Sequence, residues 1–297
     1  MKTVLKLLDY LFFCRPILIL AAWTVILLGV SRPGSQQQPW LLAGYGCLLG
    51  AAFVFNQLRD QESDRINNKL PHLAEGVVSE SEAATLTWLL LIGGILFILR
   101  AGWEDFLSMA ILLLFLTWAY NLPPLRLKKR FLAGPVTMGL ASCLVFLQSI
   151  DFNRVAWEEL LAIFFSVTSI CLLTELPDRE GDQQTGRRTM AVVSGETITL
   201  RLTMLLMAAA SLSALTGEFY LLLVPALAST LLQLRLLSKR RRDTKAINLV
   251  IRLSLLLLGL AVAVAFLWFG LLILACYLVA RKYYWYRFRR RYPSFTE

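Results

Sequence analysis

Eight apolar runs, near Leu11–Val30, Trp40–Phe55, Ala84–Leu99, Phe106–Tyr120, Phe131–Ile150, Trp157–Thr174, Thr197–Leu215 and Phe219–Leu237, limit this chain to few folds. A ninth, Ile247–Ala280, is longer than one crossing needs. About 20 apolar residues let a helix cross roughly 30 Å of hydrocarbon, and lipid offers no water to an unpaired backbone. The runs are therefore expected to be membrane helices. Of 297 residues 57% are hydrophobic, and the mean hydropathy is +0.62, which leaves too little polar surface for a water-soluble domain. The expected fold is an all-α polytopic membrane protein with about nine transmembrane helices. The ninth run lacks the Pro, Asn or Asp that would mark a turn, so it is read as one long element. Two short helices turning near Gly270 are the alternative. Lysines precede Leu11–Val30 as in a signal peptide, but the run is long and lacks a small-x-small cleavage site; it is read as the first span.

The net charge of +10 raises the question of nucleic acid, and its distribution answers it. With the N-terminus in the cytoplasm, most of the 30 Lys and Arg fall in loops on that side, whereas Arg32, Arg100 and Arg154 fall opposite. The positive-inside rule accounts for this asymmetry, and no nucleic acid or protein partner is implied. The basic and aromatic tail, residues 281–297, suits a lipid headgroup layer beside a membrane span. Its charge argues for the cytoplasm, although nine spans would leave it outside. The five cysteines sit singly in apolar runs without a CxxC and read as packing residues. His72 is the only histidine, so neither a His-based zinc site nor a Ser/His triad can be assembled. It reads as a loop residue.

Two acidic segments interrupt the apolar pattern. "NQLRDQESDR" from Asn56 and "TELPDREGDQ" from Thr174 share Leu, Asp, Glu and Asp at matching positions, 118 residues apart, and each ends an even-numbered span. This suggests two pseudo-repeated halves. Residues four apart share a helix face, so Asn56, Asp60 and Asp64 form one stripe and Asp178 and Asp182 another. Glu62 and Glu180, about 200° round from an aspartate, face water or loop. Pro177 leaves the second stripe either a helix end or a turn. Paired carboxylates at the lip of an apolar cavity repel unless a cation joins them. Mg²⁺ takes a few carboxylates together with phosphate oxygens and water, and Arg65, Lys69, Arg126, Lys128, Lys129, Arg130, Arg187 and Arg188 stand nearby in sequence to meet phosphate. The pattern describes a metal-bridged diphosphate at the membrane surface, its hydrocarbon tail in the bundle.

"NQLRDQESDRINNKL" resembles the NxxxDxxxD region of the UbiA superfamily of intramembrane prenyltransferases, and "DREGDQQTGRRTM" resembles its second acidic segment. "YNLPPLRLKKR" is similar to the family's tyrosine and lysine motif, and "CRP" at Cys14–Pro16 to the arginine on its first helix. The resemblance covers most of the chain, to about Leu237. It implies a single prenyltransferase domain, residues 1–297, with helices around a central cavity and Mg²⁺ between the two acidic segments. A prenyl diphosphate would ionise there and alkylate an aromatic or other lipophilic acceptor, within membrane lipids. Carried over, Asp60, Asp64, Asp178 and Asp182 would be catalytic and hold metal with Asn56. Arg15, Arg65, Lys69, Arg126, Lys128 and Arg187 would touch diphosphate, and Tyr120 would line the cation and acceptor pocket. Thr174 stands where the first motif has Asn56. A UbiA-type terpene cyclase would use the same metal site without an acceptor. A transporter, the alternative of another class, would carry polar groups at mid-membrane, where these spans are clean.

Overall fold

The computed structural model describes residues 2–31, 39–61, 71–102, 107, 109–111, 119–122, 124–150, 155–239 and 243–293. Seven of its helices are long and apolar enough to cross a membrane, and a bent pair makes an eighth candidate. Most of the expected span Phe106–Tyr120 lies outside the described residues, with Trp118. The described helices are α1 (Lys2–Phe13), α2 (Pro16–Val30), α3 (Pro39–Arg59), α4 (Pro71–Ala74), α5 (Glu80–Ala101), α6 (Ala133–Leu147), α7 (Trp157–Gln184), α8 (Met190–Thr216), α9 (Tyr220–Ser238), α10 (Thr244–Ala265) and α11 (Leu267–Phe288). They fall into two compact units, one of Met1–Trp23, Gln38–Ile111 and Leu271–Ser294, the other of Thr24–Gln37, Leu112–Gly270 and Phe295–Glu297.

In the first unit the run expected as one span is broken. Arg15 takes a left-handed φ of 56°, Pro16 cannot donate a helical bond, and α1 meets α2 at a 51° bend. Helix α1 is amphipathic. Val4, Leu7 and Leu11 are exposed, whereas Lys6 pairs with Glu82 at 2.7 Å and Tyr10 donates to Glu82 Oε1 at 2.8 Å. Glu82 also closes the capping box that starts α5: Ser79 caps its backbone, and Glu82 reaches back to the Ser79 N–H, satisfying two otherwise orphaned donors. Helix α5 packs on α3. Between α1, α3 and α5 lies a core of Phe13, Cys14, Val54, Val78 and Ala83.

The last apolar run is two helices, which corrects the single long element. Phe266 leaves the helical region at φ −131°, ψ 84°, after α10 has run 22 residues and before α11 runs another 22, about 33 Å each. Just past the break Phe269 is fully buried, and its ring meets that of Trp268 edge-on. The C-terminal tail is likewise no separate element up to Phe288. Tyr283 and Tyr284 are buried with Phe12 and Ala280 in a core against α1. His72, expected in a loop, is fully buried in α4.

In the second unit α6 packs on α7, and α7, α8, α9 and α10 close a ring in which α10 returns to α7. Leu173, Leu176, Leu200, Leu236, Ile247 and Ile251 fill it. Lipid tails do not drive helices together as water does, so small and polar contacts join apolar packing here. Ser169 Oγ donates to the Thr203 carbonyl at 2.7 Å, and Gln233 Nε2 to Ser169 Oγ at 3.4 Å. All three residues are buried.

Candidate active site

The second acidic segment lies on an unbroken helix. Helix α7 runs through Pro177, which settles the choice left by the sequence in favour of a helix end. Inside a packed bundle, neighbouring groups can compensate the one backbone bond that proline removes. Asp178 and Asp182 are therefore one turn apart on one face. Asp182 is 4% exposed, Asp178 is half-buried, and Glu180 is exposed as expected. Glu175 belongs to the same stripe at i, i+3, i+7 spacing, and its Oε2 accepts the Ala191 N–H at 3.3 Å. The i, i+4 spacing of the aspartates leaves Glu175 out; the three-residue step from Glu175 to Asp178 is the signal in the sequence that includes it.

How α7 ends places the first basic residue. Gly186 takes φ +69°, the Arg187 N–H reaches the Asp182 carbonyl at 2.8 Å, and the Gly186 N–H reaches Gln183 at 3.2 Å. This is a Schellman closure around a left-handed residue, a conformation glycine adopts without steric cost. It turns the chain so that Arg187 Nη1 donates to Asp182 Oδ1 at 3.2 Å. A carboxylate has about four acceptor positions, so this bond does not exhaust Asp182.

Arg188 and Thr189 then form a short strand, β2, parallel to β1 (Arg130–Phe131), with Arg130 opposite Arg188. The pairing sets the second basic cluster beside the first. Arg126 has a left-handed φ of 43° and leads into a 3₁₀ turn, Leu127–Lys129. Arg130 donates to the Pro124 carbonyl at 3.0 Å. Asp178, Asp182, Arg187, Arg126 and Lys128 are thus joined within the second unit by one helix end and one strand pair. Tyr120 is half-buried just before this loop.

The first acidic segment is in the first unit. The Asp60 N–H bonds the Asn56 carbonyl at 2.9 Å, so the helical turn continues and Asn56 and Asp60 share a face. Gln57, buried between them, donates to the Phe13 carbonyl at 2.8 Å and to Phe53 at 3.0 Å. That bond ties the end of α3 to the backbone two residues before Arg15. Asp64, Arg65 and Lys69, with Glu62, lie outside the described residues.

Among the described residues no three His, Cys, Asp or Glu side chains form a metal cluster. Mg²⁺ does not require one, because it keeps waters and phosphate oxygens around one or two carboxylates. Within each unit the donors present are of the kind it takes. Asn56 Oδ1 is a buried oxygen with no hydrogen-bond partner among the described residues, an arrangement that is costly unless something completes it. Asp60 adds a hard carboxylate oxygen in the first unit, and Asp178 and Asp182 do so in the second.

Paired carboxylates beside basic side chains at the end of an apolar helix are chemistry suited to an anionic group held at a membrane surface. Residues 17–256 match the UbiA prenyltransferase family, and the chain belongs to that family. It is 29% identical over 219 residues to homogentisate phytyltransferase from Synechocystis, covering 66% of this chain and 71% of that protein. It is 27% identical to chloroplastic chlorophyll synthase from Avena sativa, over 50% of this chain and 42% of the relative. Among solved structures, a UbiA homologue from Archaeoglobus fulgidus bound to DMAPP and Mg²⁺ superposes with a TM-score of 0.65 at 20% identity, covering 86% of this chain and 99% of that one. A UbiA homologue from Aeropyrum pernix K1 gives 0.61 at 17% identity, over 85% and 98%. At such identities the structures show the fold alone.

Proposed function

We propose that this chain is a single Mg²⁺-dependent prenyltransferase domain that moves a prenyl group from a prenyl diphosphate to an aromatic or other lipophilic acceptor and releases diphosphate. The observation that carries the reading is the Asp182–Arg187 closure at the end of α7, one turn after Asp178, with the strand that follows the Arg126–Lys128 loop paired to the one that follows Arg187. Acid and base alternate there over a short distance, as a metal diphosphate requires. Asn56, Asp60 and Asp64 repeat the acidic half. Asp60, Asp64, Asp178 and Asp182 would hold the metal with Asn56. Bound Mg²⁺ would neutralise the charge that develops on the departing diphosphate. Arg15, Arg65, Lys69, Arg126, Lys128 and Arg187 would bind its oxygens, lowering the barrier by charge stabilisation in a water-poor site. Tyr120 would offer a ring face to the allylic cation. A phytyl donor and homogentisate as acceptor are among the pairs to try, because one relative is a homogentisate phytyltransferase.

The test is purified protein with Mg²⁺, a ladder of prenyl diphosphates and an acceptor panel that includes none, with products identified by mass spectrometry. Full activity in excess chelator would sink the reading, and a cyclised hydrocarbon formed without acceptor would make the chain a cyclase. We also propose that the N-terminus and both acidic segments face the cytoplasm. Splitting the last apolar run into α10 and α11 replaces one crossing by two, returning the basic tail to the N-terminal side in accord with its charge. Single cysteines at Ser79 and Ser194, in a background without the native five, should label from the cytoplasmic side only.

A further inference from the structure

The first unit holds a buried polar chain to which the reaction above gives no role. Asp9, 1% exposed on α1, accepts the Tyr283 hydroxyl at 2.6 Å, Arg287 Nε at 3.1 Å and, on its other oxygen, Arg287 Nη2 at 3.2 Å. The same hydroxyl lies 3.1 Å from His72 Nε2. Tyr283 has one proton and gives it to the carboxylate, so His72 must donate through Nε2–H, which fixes the neutral tautomer. His72, Tyr283 and Asp9 come from α4, α11 and α1, and Tyr283 is 274 residues from Asp9. Rings pack around them: Phe12 stacks on Tyr283 at 4.5 Å, and Phe13 lies 5.6 Å from His72.

The network ends on substrate-binding positions. Phe12 and Phe13 form the last turn of α1, immediately before the left-handed Arg15. The Phe13 carbonyl takes the Gln57 amide at 2.8 Å, between Asn56 and Asp60. His72 heads back in sequence into the stretch that carries the rest of the first acidic motif. A phenylalanine at 283 would fill the same space and keep the stack on Phe12. What the hydroxyl adds is register, since hydrogen bonds from Asp9 through Tyr283 to His72 Nε2 admit fewer arrangements of these members than apolar packing does.

We infer that Asp9, Tyr283 and His72 are positioning residues for prenyl diphosphate, setting where α1 presents Arg15 and where α3 presents Asn56 and Asp60. This rests on the prenyltransferase reading, so the experiment separates the two. Affinity for a non-reactive prenyl thiolodiphosphate is measured with Mg²⁺ on purified full-length protein, alongside turnover. In Tyr283→Phe we expect Kd and the KM for prenyl diphosphate to rise about tenfold, kcat to stay within about twofold, and the KM for acceptor to stay unchanged. His72→Leu should behave likewise, and His72→Gln, which keeps a donor, should recover most of the affinity. If Tyr283→Phe gives no folded protein, Arg287→Lys carries the test with an expected rise of about threefold. A lower melting temperature with unchanged Kd in these variants would make the network structural cement and overturn the inference. A wild type that turns over no donor while Tyr283→Phe still loses affinity would sink the catalytic reading and leave the inference standing.

Discussion

The two acidic segments look alike in sequence and are held in opposite ways. Asp178 and Asp182 are placed by backbone: one continuous helix, one left-handed glycine and one pair of two-residue strands, most of it within about fifteen residues. Asn56 and Asp60 are placed by side chains from afar, through Gln57 on the Phe13 carbonyl, His72 on Tyr283 and Tyr283 on Asp9, at separations of 44, 211 and 274 residues. A pseudo-repeat in motif is therefore no repeat in support. The second segment should respond to changes in its own loop, the first to changes at the far ends of the chain.

The largest expected effect tests whether the two act as one. Asp60→Asn and Asp178→Asn should each lower turnover by about a hundred- to a thousandfold, in line with losses for electrostatic groups that meet the transition state. The double variant should be hardly worse than the worse single, as for residues that work as a unit. A double-mutant cycle with strictly additive free energies would mean that the segments do not share one diphosphate.

Next in size is a break confined to the second segment. Gly186→Ala forces a side chain into left-handed backbone at about 1–2 kcal/mol, a factor of about 5–30 in the closed loop. Diphosphate affinity should fall by that order, while the melting temperature changes little. An unchanged affinity would show that the Schellman turn does not position Arg187. Smaller again, Lys128→Ala should raise the KM for prenyl diphosphate about tenfold without loss of folded protein. If Arg126→Ala does so and Lys128→Ala does not, the strand pair presents the other side chain.

The smallest effect near neutral pH belongs to the first segment's support. Burial, with Arg15 and Arg287 adding positive charge, pushes His72 down to about 3 from its ordinary 6.5. The unfolded chain therefore binds a proton that the folded chain refuses between these values, and stability is lost as pH falls below about 6.5 at up to about 1.4 kcal/mol per unit. Above pH 7 the group contributes nothing. Melting curves in detergent from pH 7.5 to 4.5 should show the decline, and His72→Gln should flatten it.

What the sequence made legible follows from range. Membrane helices are self-contained, so about 20 apolar residues identify a span wherever it packs, and the i, i+4 spacing of Asp178 and Asp182 identifies their shared face. Pro177 was ambiguous because the cost of proline depends on neighbours that sequence does not show. Phe266 carries no turn signal, since it stands in an apolar run without Pro, Asn or Asp. His72 read as a loop residue because its partners, Tyr283 and Phe288, are more than 200 residues away. The basic tail, residues 281–297, reads as a headgroup anchor, yet Tyr283, Tyr284 and Arg287 turn inward to α1.

That inward turn orders the assembly of the molecule in time. At about 5–20 residues per second, the ribosome takes roughly 14–55 s to travel the 274 residues from Asp9 to Tyr283. Through that interval Asp9 has neither Tyr283 nor Arg287, and His72 has no hydroxyl to bond. The ring of α7 to α10 needs nothing made after Ala265 and can close first. Biogenesis therefore finishes the amino-terminal acidic site last, and a nascent chain released before residue 283 carries a complete second segment and an unsupported first.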